Sequence, residues 1–259
     1  MNRASCLNGP LVRRVLALSS VIVIVAGASS GKEAGSEAKR DAKEAAKLVD
    51  EIANRNKPPE LKGRFPQRMA PRVPVFPKSY DWREDKRVSD NLKKLWADNS
   101  IELWEELVRM DGTDARYCIT VKTPGDNAKI LSVGDICQSL AYGRVLDVYK
   151  RVLPVNPHNE CARIYLNSGI GDKGLAEWRK ERKNKSLYEL QIEVCENALR
   201  SLAKDKELKD VSEAQRKLIR QKIEGQIEKL KRTKAPILFE YTWFDEGYEL
   251  YHPRERKKT

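Results

Sequence analysis

The spacing of apolar residues changes several times along this chain, and each change marks an element. Between Trp82 and Val108 they recur every three or four positions. Val88, Leu92, Leu95 and Trp96 form one stripe, and Ile101, Trp104, Leu107 and Val108 form a second beyond Asp98-Asn99-Ser100. That period places one buried face on each of two helices. After a turn at Asp111-Gly112-Thr113-Asp114 the rhythm becomes alternation. Tyr117, Ile119 and Val121 point one way and Cys118 and Thr120 the other, which predicts a strand within residues 116–122. Ser132-Val133-Gly134-Asp135 resembles a capping box with a shortened acid. It opens a helix to about Val152 with a core face of Ile136, Leu140, Val148 and Val152, stopped by Pro154 and Pro157.

Residues 186–232 carry the longest helical pattern. Ser186 can cap it, and Leu187, Leu190, Val194, Ala198 and Leu202 mark the first half. Beyond a break at Lys206–Asp210, Ile219, Ile223, Gln226 and Leu230 follow a coiled-coil-like spacing for fewer than two heptads. Three or four heptads are needed for a coiled coil, so an antiparallel helical hairpin packed on its own domain is expected. Pro236 ends it. "ILFEYTWFDEGYELYH", residues 237–252, then reads as two strands around Asp245-Glu246-Gly247. Together with residues 116–122 they give a small antiparallel sheet of about three strands. The expected class is α+β, predominantly α-helical.

The first third of the chain is different. Val15–Ala28 is an apolar run of 14 residues behind Arg13-Arg14, and it ends in Ala26-Gly27-Ala28. A membrane-crossing helix needs about 20 residues, whereas a cleavable export signal has this length, this charge and this small-x-small ending. Residues 1–28 therefore read as a signal peptide. The alternatives are an anchor over residues 15–28 or a mitochondrial presequence, which the lack of acid before Glu33 would suit. Residues 29–57, rich in Ala, Lys and Glu, have only Leu48, Val49 and Ile52 as large apolar side chains. They read as a solvated helix or a disordered arm. Residues 58–77 hold six of the chain's 12 prolines, so 58–78 reads as an extended linker or strap whose end docks through Val73, Val75 and Phe76. Residues 79–259 form the remaining domain.

The 259 residues carry a net charge of +12, and losing Arg3, Arg13 and Arg14 with the signal would leave +9. Basic and acidic residues are interspersed almost everywhere, which describes a solvated surface more than a binding patch. The exception is the tail, Arg254, Arg256, Lys257 and Lys258, which lies beside aromatic Tyr241, Trp243 and Tyr248. Flat aromatics and mobile cations can hold an anionic polymer, so these seven residues are the candidate binding set. Another envelope protein is the other expected partner. A membrane is expected only with an uncleaved signal, and nucleic acid is disfavoured.

Four cysteines remain beyond Cys6: Cys118, Cys137, Cys161 and Cys195. In an exported chain an even number allows two disulfides, while isolated spacing equally suits reduced core thiols. Other motifs fail on their context. "FPKSYDWRED", residues 76–85, resembles the start of mature papain-like cysteine proteases, yet no Cys-Gly-x-Cys-Trp segment follows. Gly169, Gly171 and Gly174 match GxGxxG, but the next helix is polar and is followed by another helix, so no dinucleotide unit forms. His158, Glu160 and Cys161 lack the later Pro-Cys-x-x-Cys of a zinc deaminase. No cofactor, metal or catalytic residue is expected. The chain reads as an exported, non-enzymatic binding or structural protein of the cell envelope or exterior. The competing expectation is a hydrolase-like enzyme whose Cys or Asp/Glu site is assembled only by folding, in a pocket holding two or more of Cys118, Cys137, His158, Asp135 and Glu160.

Overall fold

A computed structural model describes residues 40–63, 72–123, 127–153, 166–204, 211–239 and 249–250. The elements follow in the order α1 (Ala42–Asp50), β1 (Glu60–Gly63), β2 (Arg72–Val75), α2 (Trp82–Ala97), α3 (Ile101–Met110), β3 (Tyr117–Lys122), β4 (Ala128–Ser132), α4 (Val133–Lys150), α5 (Gly174–Lys180), α6 (Leu187–Lys204), α7 (Glu213–Thr233) and β5 (Glu249–Leu250). The class is α+β and predominantly helical, as the apolar periodicity predicts.

Local chemistry sets most helix starts. Asp81 accepts from Arg83 N, Ser100 from Leu103 N, and Ser132 and Asp135 complete both halves of the predicted capping box. Ser212 and Gln215 form a second box that opens α7. Such caps satisfy amide donors that the first helical turn leaves unpaired. At the start of α6, Ser186 N and Oγ both donate to Glu189 Oε2, at 2.8 and 2.7 Å.

α4 is the central helix. Valines, leucines and aromatics surround it, and its buried positions run around most of its circumference, from Val133 to Tyr149. α3 and α6 pack against it, and α7 packs on α6 as the expected hairpin. Arg216 Nη1 donates to Leu202 O where the two helices meet, and Lys231 lies 3.9 Å from Glu196 at the other end. The pair therefore runs antiparallel. The seam of α7 is Ile219, Ile223, Ile227 and Leu230. Gln226 is only half-buried, so Ile227 takes the place expected for it.

The sheet departs from expectation in its strands. β3 is central, with order β4-β3-β5, all antiparallel. The second strand is Ala128–Ser132, which no alternation announces. β5 pairs Leu250 with Val121 and Glu249 with Lys122. Of the other expected strand, Ile237–Phe239 are not in the sheet and residues 240–248 lie outside the described residues. Nor is the inner face of β3 apolar alone: both of its faces are buried over Tyr117–Val121.

Of the two readings of residues 29–57, the helix is found over Ala42–Asp50, but it is docked instead of solvated. Asp41 caps α1, which packs on α3 and buries Ala45, Val49 and Ile52 completely or nearly so. Burying an Ile or Val contributes about 1.5–3 kcal/mol, and an alanine fills the stripe that large residues leave narrow. Arg87 closes the far end of α1, donating to Glu51 O at 2.6 Å and Ala53 O at 2.7 Å. Within the proline-rich segment, Glu60–Gly63 and Arg72–Val75 are extended and form an antiparallel ribbon pairing Glu60 with Val75 and Gly63 with Arg72. Val75 remains 45% exposed and does not dock. Phe76 instead clusters with Tyr80 and Trp82 at 4.7 Å each, and these two lie 4.8 Å apart.

Candidate functional site

The residues singled out by sequence fall into two groups. Tyr241, Trp243, Tyr248, Arg254, Arg256, Lys257 and Lys258 lie outside the described residues, as do the signal, His158, Glu160 and Cys161. The rest have structural duties. Asp135 is exposed and occupied by its cap. Cys118, Cys137 and Cys195 are free, buried thiols, so no disulfide joins them. Burial pushes Cys118 upward in pKa and Cys137 and Cys195 to about 12, all three well above the ordinary thiol value. Thiols held protonated in apolar surroundings are inert. Among the described residues no group of three or more His, Cys, Asp and Glu could hold a metal.

The glycine motif also resolves into packing. Gly169 has φ +80°, and a Cβ there would lie 2.1 Å from Asn197 Nδ2. That amide donates to Ser168 O at 2.7 Å, fastening the loop to α6. The protease-like segment is a buried polar knot. Tyr80 Oη bonds Asp85 Oδ1 at 2.7 Å and Tyr117 Oη at 2.8 Å, and Tyr117 reaches Thr120 Oγ1 at 2.9 Å. Asn54 Nδ2 adds bonds to Asp85 Oδ1 and Cys118 O at 2.8 and 3.2 Å. The network pins the α1 end and the strap onto β3. Its hydroxyls resist ionisation: burial and the bonds to Tyr117 and Asp85 raise Tyr80, and burial raises Tyr117 against the opposing effect of its bonds to Thr120 and Tyr80.

A different place carries an unmatched group. A small cleft, part of it open to solvent, with room for little more than a water molecule, is lined by Trp96, Leu140, Gly143, Arg144, Asp147, Leu238 and Phe239. Three segments build it. The end of α2 brings Trp96. One flank of α4 brings Leu140 through Asp147. The chain leaving α7 brings Leu238 and Phe239, and its path is fixed in two steps. Lys234 turns the chain in the left-handed region, φ 50°. The fully buried Gln191 of α6 then clamps Ile237, accepting from its N–H and donating to its carbonyl, both at 2.8 Å. The same amide donates to Arg144 O at 2.6 Å, tying the wall to α4.

Arg144 is only 7% exposed. Its Nη2 donates to Leu95 O at the C-terminal end of α2, where the negative end of the helix dipole favours a cation. Its Nη1 is buried with no hydrogen-bond partner. Among the described residues Arg144 enters no ion pair. Burial pushes the guanidinium down to about 10, with Asp98 pulling against that effect. Asp98 is itself held by Arg40 at 2.5 Å. At the rim Asp147 pairs with Arg151 at 3.0 Å, and Arg151 stacks 5.4 Å from the Phe239 ring centre. A buried guanidinium is ordinarily matched by a carboxylate, and among the described residues none is paired with Arg144, whose Nη1 is itself buried.

A sequence signal for this residue exists. Ile136, Leu140, Arg144 and Val148 step by four along α4, so Arg144 occupies the core stripe. Gln191 similarly sits four residues after Leu187. A polar residue on an apolar stripe needs a buried partner, and that requirement marks both. Leu238 and Phe239, at the start of the aromatic C-terminal segment, line the cleft, while the candidate aromatics Tyr241, Trp243 and Tyr248 lie outside the described residues. No family model matches the chain, and no curated protein or solved structure is similar to it.

Proposed function

We propose that this chain is an exported, non-enzymatic binding or structural protein of the cell envelope or exterior, delivered by residues 1–28. One observation supports the non-enzymatic part: among the described residues, the cysteines and the carboxylates named below are committed to packing, hydrogen bonds and ion pairs. Cys118, Cys137 and Cys195 are protonated and buried. Glu84, Asp114, Glu189 and Glu193 all have pKa values lowered by hydrogen bonds to Arg87, Arg116, Ser186, or Lys185 and Arg182. A general acid or base instead needs a pKa near working pH.

The cleft beside Arg144 contains none of the residues expected of a hydrolase site. Among the described residues, no helix is long and apolar enough to cross a membrane. Two measurements test the proposal. Protein recovered outside the producing cell should begin at Ser29; an intact Met1 in the membrane fraction would establish an anchor. Native protein at about pH 8, near the ordinary thiol value, should leave Cys118, Cys137 and Cys195 unmodified by iodoacetamide until denatured. Rapid native alkylation of any of them would favour the hydrolase.

A further inference from the structure

We propose that the ribbon of β1 and β2 with its flanks, residues 55–63 and 72–78, is a docking surface for an acidic polysaccharide, held by Lys57, Lys62, Arg72 and Lys78. This rests on the reading of the chain as an exported binding protein and names the partner class.

Charge is concentrated in this part of the chain. Residues 55–78 hold seven basic side chains against one acid, Glu60, and so carry +6 of the whole chain's +12. The tail from Arg254 to Lys258 carries only +3. Lys57, Lys62, Arg72 and Lys78 are all exposed. Among the described residues Lys57, Arg72 and Lys78 enter no ion pair, and Lys62 lies 3.7 Å from Glu60 in an exposed pair worth little. The acids that follow the ribbon are engaged by other partners, Asp81 by Arg83 and Glu84 by Arg87. Arg55 faces Glu84 at 3.7 Å and is not counted among the binding cations.

The ribbon spaces these charges before any partner arrives. Lys62 pairs with Val73 and Gly63 with Arg72, so Lys62 and Arg72 share one end. Lys57 and Lys78 each stand three residues beyond the opposite pair, Glu60 and Val75. Asn56 and Asp81 exchange two bonds of 2.9 Å across the base, and Arg72 N donates to Asn127 Oδ1 at 2.9 Å. An extended chain rises about 3.3 Å per residue, which separates the two ends by roughly 16 Å. A polymer charged at intervals can reach both ends, whereas a small anion reaches one.

Chemistry narrows the polymer. Pro74 in β2 has no N–H to offer a further strand, and deterring strand addition needs no more than a charge or two besides, so protection of the edge does not account for +6. Phe76, the one aromatic on these residues, packs on Tyr80 and Trp82 and is not free to stack on a base. Val75 is the one large apolar side chain exposed there, too little to enter a membrane surface. Carboxylates or sulfates on a hydrated sugar chain need only accessible cations.

The experiment is titration of the full mature chain with polygalacturonate, with neutral dextran and a random-sequence DNA duplex alongside, at an ionic strength of about 0.05 M, where screening is weak. Polygalacturonate should bind, with affinity falling as salt rises, and dextran should not. Lys57→Gln, Lys62→Gln, Arg72→Gln and Lys78→Gln combined, checked for native circular dichroism, should weaken polygalacturonate about tenfold or more and flatten the salt dependence. Lys217→Gln, Lys222→Gln, Arg220→Gln and Arg232→Gln combined remove as many exposed cations from α7 and should cost less than about threefold. Equal losses in the two variants reduce the binding to net charge and overturn the proposal. So does absence of polygalacturonate binding, or binding that is abolished by deleting residues 253–259 yet kept in the ribbon variant. A ribbon variant that loses affinity for DNA and none for polygalacturonate overturns the choice of polymer. Protein that is exported, begins at Ser29 and binds no polygalacturonate defeats the ribbon alone and leaves the proposed function standing.

Discussion

Two arginines are buried to almost the same degree, Arg144 at 7% and Arg179 at 8% exposed, yet their surroundings differ. Arg179 of α5 donates five hydrogen bonds. Two go to Glu105 Oε1, and the others reach the carbonyls of Arg182, Lys183 and Lys185. Its guanidinium also lies 5.7 Å from the Trp104 ring centre. It gathers the loop after α5 and ties it to α3. Arg144 makes one such bond and leaves Nη1 without a partner. A saturated buried cation is a fastening of the fold. An unsaturated one costs stability.

The sharpest way to break this contrast is to remove each cation. Arg179→Met leaves three loop carbonyls and Glu105 without their donor, and urea unfolding should show a loss of about 2–4 kcal/mol. Arg144→Met removes a charge with little to match it. Its unfolding free energy should change by less than about 1 kcal/mol, in either direction. Equal losses in the two variants would make both arginines structural and end the distinction.

The clamp comes next in size. Gln191→Leu strands the N–H and carbonyl of Ile237 and the carbonyl of Arg144, and should cost about 2–3 kcal/mol. Hydrogen exchange at Ile237 should rise with it. An unchanged exchange rate there would mean that the cleft wall is held by something other than this amide.

A smaller effect is tied to pH and belongs to the saturated region. Burial pushes Glu193 upward, but hydrogen bonds from Lys185 and Arg182 outweigh it, and its pKa lies below the ordinary 4.5. A carboxylate lowered on folding contributes stability that is complete above its unfolded pKa and lost as pH falls through the folded value. The wild-type chain should therefore lose stability progressively below about pH 4.5. Glu193→Gln should cost up to about 1 kcal/mol at neutral pH and flatten that acid limb. A limb of identical slope in the variant would remove Glu193 from the acid response.

How much of this was legible in the sequence differs by element. The stripes Val88–Leu92–Leu95 and Trp104–Leu107–Val108 are buried as their spacing requires, and the Ser132–Asp135 box forms both of its bonds. A helix over α1 is legible in its composition, but its docking is not, because the buried positions Ala45, Val49 and, just beyond the helix, Ile52 are too few large residues to register as a stripe. β4 was missed because Ala128–Ser132 mixes exposed and buried positions without strict alternation. Its place is set by pairing with β3, a neighbour supplied by the fold.

The site divides along the same line. Sequence alone determined that Arg144 lies on the core stripe of α4, because a period of 3.6 residues brings positions 140, 144 and 148 to one face. It also determined the class, since apolar periodicity and end caps act within a few residues. Only the tertiary structure decided that Leu95 O would take one guanidinium nitrogen while the other found no partner, and that Gln191 would hold Leu238 and Phe239 across from it. These are meetings between groups some 46 to 49 residues apart in sequence, and no local preference encodes which buried donor meets an acceptor when helices close on one another.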